Sequence, residues 1–373
     1  MIIGIDASRA NRQNKTGTEW FSWHLIEELK KIVRSDDQVL LYANDKLVEE
    51  LGEMPNSNWQ EKILKWPPKY LWTQIMLWRE LRRNPPDALL IPAHTIPLLP
   101  VRKKTKVIAV VHDVGFRRFP DLYKPIQIWY HEITMRRIRS RADVILTISN
   151  FSKKEIIDLY DITPNRIKVA YLGYDSGEYF PQTQDNIDQA KQKYNIKSPY
   201  LLYVGRLEKK KNIGNIAKAF VLARAGHDDL KLVLAGAGGN QYDEIKKIIA
   251  DFKLEQEIIL TGYVDQADLP ALYSGSLAFI FPTLYEGFGL PILDAMACGT
   301  PVIASNTAPH TEVGGEAGIY ADPKSPEAIS DAIMKVAEND EFRAKVVESG
   351  FLRIKEFSWA KTAADIYKII KSA

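Results

Sequence analysis

Short β-branched and apolar runs alternate with longer helical patterns along almost the whole chain, and this alternation constrains the fold more than any other feature. Strand-sized runs separated by helix-sized segments are the signature of βα units, which build parallel sheets with helices on both faces. In the first half the strand candidates are Ile2–Asp6, Val39–Tyr42, Ala88–Ile91, Val107–His112, Val144–Ile148 and Ile167–Ala170, separated by helical segments such as Thr18–Val33 and Ile126–Arg139. A second series runs through Tyr200–Val204, Leu230–Ala235, Ile258–Leu260, Leu277–Phe281 and Pro301–Ala304, with helices at Ile213–Ala225, Asp243–Phe252, Asp268–Ser274 and Pro291–Ala297. Between the series lies PQTQDNIDQAKQKYN, a polar stretch that reads as a linker with a solvated helix. The 373 residues therefore divide as an α/β protein of two Rossmann-like doubly wound domains, 1–178 and 199–357, joined by a linker at 179–198.

Composition narrows the class further. With 46% hydrophobic and 26% charged residues the chain can close two cores, which argues against disorder or a fibrous repeat. Its longest uncharged apolar runs, such as Leu277 to Leu284, fall far short of a membrane span, and MIIGIDASRA lacks the pattern of a signal peptide. A single cysteine, Cys298, can form neither an internal disulfide nor a Cys-based metal site, so a reducing cytoplasm is the expected compartment. Residues 1–180 hold 28 Lys and Arg against 22 Asp and Glu, a balance of +6, whereas the remainder is at −3. Such a basic half suits phosphate or anionic lipid, or is simply a solvated surface.

Open parallel sheets bind ligands at the carboxyl ends of their strands, where helix N-termini present free N–H groups. The most informative such place is YEGFGLPILDAMACGTPVIAS, Tyr285 to Ser305. Gly287 and Gly289 allow close backbone approach, Pro291 suits a first helical turn, and the amides of Phe288, Gly289 and Leu290 would form an anion cradle. Glu286 stands before the cradle and Asp294 lies one turn into the helix, so that one bound group could meet both carboxylates. A tight turn with a solvated Glu is the plainer alternative. No two aspartates are separated by one residue and no histidines pair as H-x-x-x-H or H-E-x-x-H, so no metal site is expected. Gly236-Ala237-Gly238-Gly239 lacks the spacing of a dinucleotide loop.

The stretch Tyr285–Ser305 resembles the hallmark of the retaining glycosyltransferases of family 4, which have the GT-B architecture: two facing Rossmann-like domains with a cleft between them. The resemblance implies that Glu286 contacts the donor sugar and that Asp294, where the family usually has Glu, grips the ribose. YLLYVGRLEKKKNI is similar to the family's G-R-L…K-N element, which implies that Arg206 and Lys211 hold the pyrophosphate. Fixed cations there would stabilise the departing diphosphate in place of Mg²⁺. LTGYVDQADLPALYSGS resembles the block beside the base and implicates Tyr263. In the first half, Gly17 resembles a glycine near the phosphates, and His112 and Asp113 in VVHDVGF resemble a pair near the transferred sugar. TISNFSKKEI is similar to the family's T-x-S-x-x-S segment and implicates Asn150 on the acceptor side, with Ser149 or Asn150 as a simple helix cap the alternative; His94 ends a strand as a weaker acceptor-side candidate. EFSWAKTAADIYKII resembles the final helix, which crosses back to the first domain with Trp359 as an anchor; parts of residues 45–85 carry no recognisable block.

The resemblance implies a metal-independent retaining enzyme that moves mannose or another hexose from a GDP- or UDP-linked donor to a hydroxyl of a glycan or lipid-linked acceptor, with no cofactor and no nucleic acid. The alternatives are a nucleotide-sugar epimerase or dehydrogenase, which would need a dinucleotide fingerprint, and a non-catalytic sugar or nucleotide binder. Two aromatic-basic stretches, Lys65 to Arg83 and Ile128 to Arg141, suit peripheral contact with anionic lipid at the inner face of a membrane. Trp72, Met76 and Arg79 fall at helical spacing, so a helix packed on the first domain would look the same.

Overall fold

In the computed structural model the described residues are 1–373 apart from 14, 67–70, 102–103, 240–241 and 373. They form two compact units, Met1–Gly173 with Trp359–Ala373, and Tyr174–Ser358.

The first unit is built on a parallel sheet of β1 (Ile2–Asp6), β2 (Gln38–Ala43), β3 (Trp59–Ile63), β4 (Ala88–Ile91), β5 (Lys106–Val110), β6 (Val144–Thr147) and β7 (Ile167–Val169), in the order β3-β2-β1-β4-β5-β6-β7. Strands β1 and β4, buried on both faces almost throughout, read in the sequence as unbroken apolar runs. At the edge, β3 has the sequence WQEKI with only Trp59 buried, and its charges hide it from a search for apolar runs. The chain returns after the second unit as the helix Trp359–Ser372, which packs on the helix Gly17–Ile32; the Trp359 ring stacks 4.7 Å from that of His24. Asp37, its side chain fully buried, accepts bonds from Tyr367 Oη (2.5 Å) and Lys371 Nζ (2.8 Å) of that helix.

The second unit carries β8 (Tyr200–Val204), β9 (Lys231–Ala235), β10 (Ile258–Gly262), β11 (Ala278–Phe281), β12 (Val302–Ser305) and β13 (Gly318–Ala321), all parallel in the order β10-β9-β8-β11-β12-β13. The stretch expected as a linker lies inside this unit, and the division falls at 173/174 rather than 178. Its helix Gln184–Lys193 buries Ala190 and packs on the helix Leu269–Ser274, fastened by Lys193 Nζ to Asp268 (2.6 Å) and Asp265 (2.8 Å). A stretch can be polar overall and still dock through one small apolar face. In each sheet the strand order reverses beside the first strand, between β1 and β4 and between β8 and β11. Crevices for ligands form at such reversals.

Candidate active site

At the reversal in the second unit, the loops leaving β8 and β11 bring together two residues 75 positions apart in sequence: Lys211 Nζ bonds Glu286 Oε1. Both side chains are largely buried, at 15% and 16% exposure. Burial alone would raise the Glu286 carboxyl; the ammonium groups of Lys211 and Lys210 outweigh it and hold the acid below its ordinary range. The pair is therefore a fixed carboxylate beside a fixed cation. Lys211 also lies 5.6 Å from the Phe281 ring, and Leu284 N donates to Lys210 O (2.8 Å), tying one loop to the other. Asn212, in the left-handed conformation, donates to the carbonyls of Pro282 (2.9 Å) and Pro323 (2.6 Å) and so sets the turn that carries Lys211. The Arg206 side chain is exposed and has no ion-pair partner among the described residues.

The small residues of Gly236–Gly239 serve this loop. Gly205 N donates to Ala235 O and Leu207 N to Ala237 O, and a Cβ on Gly236 (φ +155°) would lie 2.0 Å from Gly205 O. The glycine lets two backbones touch. Gly287 follows Glu286, and Phe288 is buried at 2% exposure. Gly289 (φ +100°) then turns the chain into the helix Leu290–Ala297, where Pro291 has no N–H and Ile292 N donates to Gly289 O (2.9 Å), which leaves the Leu290 amide at the helix start.

Asp294 lies on the helix Leu290–Ala297. It is 8% exposed, and its carboxyl is pushed well above the ordinary range, first by burial and then by repulsion from Asp175 and Glu178. Tyr263 is 76% exposed just beyond β10, the edge strand of this sheet.

In the first unit the expected residues have structural duties. His112 Nε2 is 3.0 Å from Pro92 O, and Asp113 Oδ1 accepts from Gly115 N (2.7 Å), closing a turn. Ser149, not Asn150, caps the helix Asn150–Tyr160; Asn150 Nδ2 donates to Tyr171 Oη (2.6 Å). A Cβ at Gly17 would meet nothing within 4 Å, so no neighbour in the protein demands a glycine there. The loop before it is clamped by Glu19, which caps its helix with Thr16 and binds Arg9 (3.2 Å) and Arg12 (3.4 Å). His94 lies three residues after β4, with its ring 4.7 Å from that of His131. Of the aromatic-basic stretches, residues 67–70 lie outside the described residues. Trp72 is in the core with its indole N–H on Leu64 O (2.8 Å), Met76 packs beside it, and Met135 and Ile138 are buried, whereas Ile126 and Trp129 stay exposed.

Sequence reasoning passed over His310 and His131. His310 is 1% exposed behind the Glu286 loop, its Nε2 3.0 Å from Thr283 Oγ1 and its ring edge-on to Phe281. Burial pulls it down to about 4, which keeps it neutral. Its place shortly after β12, in a turn at a strand's carboxyl end, was the available signal. His131 lies inside a helix, where a histidine gives none. Among the described residues no group of three or more His, Cys, Asp or Glu is placed to hold a metal, and no helix is long and apolar enough to cross a membrane.

Comparison with known proteins agrees with this architecture. Residues 17–178 match the family model Glycosyltransferase Family 4, and residues 185–353 match Glycosyl transferases group 1. The O-antigen chain mannosyltransferase B of Escherichia coli is 34% identical over 256 residues, 68% of this chain and 67% of that protein. The serotype-specific mannosyltransferase WbdA of Escherichia coli is 30% identical over 284 residues, 73% of this chain and 33% of its own length, so the chain spans about a third of that relative. The structure of Anabaena Alr3699/HepE in complex with UDP-glucose has a TM-score of 0.75 at 18% identity, covering 100% of this chain and 99% of that one, a likeness of fold. The chain belongs to the group 1 glycosyltransferases of family 4 type, with the two Rossmann-like domains of the GT-B fold.

Proposed function

We propose that the protein transfers a hexose, mannose foremost, from a nucleoside-diphosphate sugar to a hydroxyl of a glycan or lipid-linked acceptor, with retention and without a metal. The observation that carries this reading is the buried Lys211–Glu286 pair at the strand-order reversal of the second sheet, with Arg206, which has no ion-pair partner among the described residues, on the same loop as Lys211. Breaking the bond from the sugar C1 to the diphosphate moves negative charge onto the leaving group. Arg206, Lys211 and the opening turn of Leu290–Ala297 are positive groups already in place to receive it, so little rearrangement accompanies the step. The acceptor oxygen attacks C1 from the face that the diphosphate leaves, and its proton passes to the departing phosphate oxygen. Glu286, ionised and anchored, orients the sugar hydroxyls and steadies positive charge at the ring.

Mannose leads because relatives at 30–34% identity are named mannosyltransferases. Uridine-linked hexoses come next, since a protein of like fold is known with UDP-glucose. The reduced, buried Cys298 suits reaction in the cytoplasm. Thermal denaturation with GDP-mannose, UDP-glucose and the free diphosphates tests the donor: a ligand at 100 times its Kd adds about 2.7 kcal/mol of stability. No shift with any of them would overturn the reading.

A further inference from the structure

The loop that carries Glu286 runs from the end of β11 to the helix Leu290–Ala297, and it is held from two sides. On the β8 side, Asn212 Nδ2 donates to Pro282 O (2.9 Å) and Leu284 N to Lys210 O (2.8 Å). On the β12 side, Ser305 Oγ donates to Thr283 O (2.6 Å), and His310 opens the short helix His310–Gly314 that follows. His310 reaches both ends of the loop. Its Nε2 lies 3.0 Å from Thr283 Oγ1 at the start. At the other end its ring packs against Gly289, where a Cβ would stand 3.3 Å from His310 Cδ2 and where the backbone turns at φ +100° into the next helix. The same ring stands edge-on to Phe281 at 5.5 Å, and Lys211 Nζ lies 5.6 Å from that Phe281 ring.

His310 is 1% exposed and Thr283 fully buried, so neither side chain meets a ligand directly. The charged groups that act on the imidazole are Glu286, which favours its protonation, and Lys211, which opposes it; burial is the largest influence and holds it neutral, down to about 4. An uncharged ring does not compete with Lys211 for the Glu286 carboxylate. Its Nδ1 is buried with no hydrogen-bond partner among the described residues, a cost that an apolar side chain of like size would not carry. What the imidazole supplies, and an apolar side chain cannot, is the bond between Nε2 and Thr283.

We infer that His310 is a positioning residue: through Thr283 and Gly289 it fixes both ends of the loop that presents Glu286, and so sets where that carboxylate meets the transferred sugar. The reaction it serves rests on the sugar-transfer reading above; the clamp on the loop does not. A reacting geometry displaced by about 1 Å can lose about 10²-fold in rate with the fold intact. Thr283→Val combined with His310→Leu tests the inference, because it removes both hydrogen-bonding groups together at nearly constant volume. With neither partner left unpaired, the double variant should melt at or above the wild-type temperature. Its kcat for release of nucleoside diphosphate should nevertheless fall about tenfold or more, by a larger factor than KM rises, while its affinity for the free diphosphate stays within about twofold. His310→Gln, whose amide can reach Thr283 Oγ1, should hold kcat within about threefold of wild type. A double variant as active as wild type, or one whose kcat falls only in step with its melting temperature and its number of diphosphate sites, would overturn the inference. A second readout needs no turnover: the imidazole ¹⁵N signals of His310 in the full chain, assigned by their absence from His310→Gln, should move in Glu286→Gln. Signals that stay in place would overturn the clamp. Signals that move, in a protein that releases no diphosphate from any donor, would sustain the clamp and reject the sugar-transfer reading.

Discussion

Lys211 and Arg206 face the same chemistry from different surroundings, and the difference separates their mutants. Lys211 neutralises a largely buried carboxylate, so Lys211→Ala should both lower kcat by roughly 10²-fold and destabilise the fold by leaving Glu286 without its main cation. Arg206 is exposed and pairs with nothing described, so Arg206→Ala should cost a similar factor in kcat while stability stays within about 0.5 kcal/mol of wild type. Steady-state kinetics with thermal melts of both variants distinguish the two; full activity in Arg206→Ala would remove it from the site. Asp294 carries a different signature. Its folded carboxyl is raised above the ordinary 3.8, so its contribution to stability is fully present below that value and is lost as pH rises through the folded one. Asp294→Asn should therefore raise the melting temperature of the ligand-free protein at pH 8 and change it little at pH 4. If the carboxylate accepts ribose hydroxyls, the same substitution weakens nucleotide binding by about 1–3 kcal/mol. Unchanged melting at pH 8 would contradict the electrostatic account, and unchanged affinity the ribose role.

At the scale of elements, the strands buried on both faces were legible because nothing polar interrupts them. Ile2–Asp6, Ala88–Ile91 and Tyr200–Val204 stand where their apolar runs end. WQEKI and GIYA were not legible, one broken by charge and the other opened by a glycine beside a glycine-rich turn. Site residues divide in the same way. Glu286 and Lys211 could be named from motifs, but their pairing joins loops 75 residues apart, and no local pattern encodes it. His131 was invisible because its partner, His94, comes from another element. The final helix offers a test at this scale. Burial pushes Asp37 upward, yet hydrogen bonds from Lys371 and Tyr367 prevail and bring it down to about 2. The stability this confers is present above the ordinary 3.8 and is lost as pH falls toward about 2. Asp37→Asn should cost about 1–3 kcal/mol at pH 7 in denaturant unfolding, with the difference from wild type shrinking at pH 2–3. A difference independent of pH would show that the clamp is not ionic.

Across the whole molecule, the two units repeat one plan, a doubly wound sheet with polar residues gathered where its strand order reverses, and fill it with different residues. In the second unit that place holds a carboxylate and cations suited to a sugar and a leaving diphosphate. In the first it holds Arg9, Arg12 and Asp45 beside the rings of His94 and Trp129, in a half of the chain, residues 1–180, whose balance is +6. Arg9 and Arg12 both pair with the one carboxylate of Glu19. The most direct measurement is release of nucleoside diphosphate from a panel of GDP- and UDP-hexoses in the presence of EDTA, for wild type and Glu286→Gln. The wild type should turn over one donor undiminished by EDTA, and Glu286→Gln should fall by roughly 10²-fold or more while still binding the free diphosphate. Release that vanishes in EDTA and returns with Mg²⁺ or Mn²⁺, or a Glu286→Gln variant as active as wild type, would contradict the account.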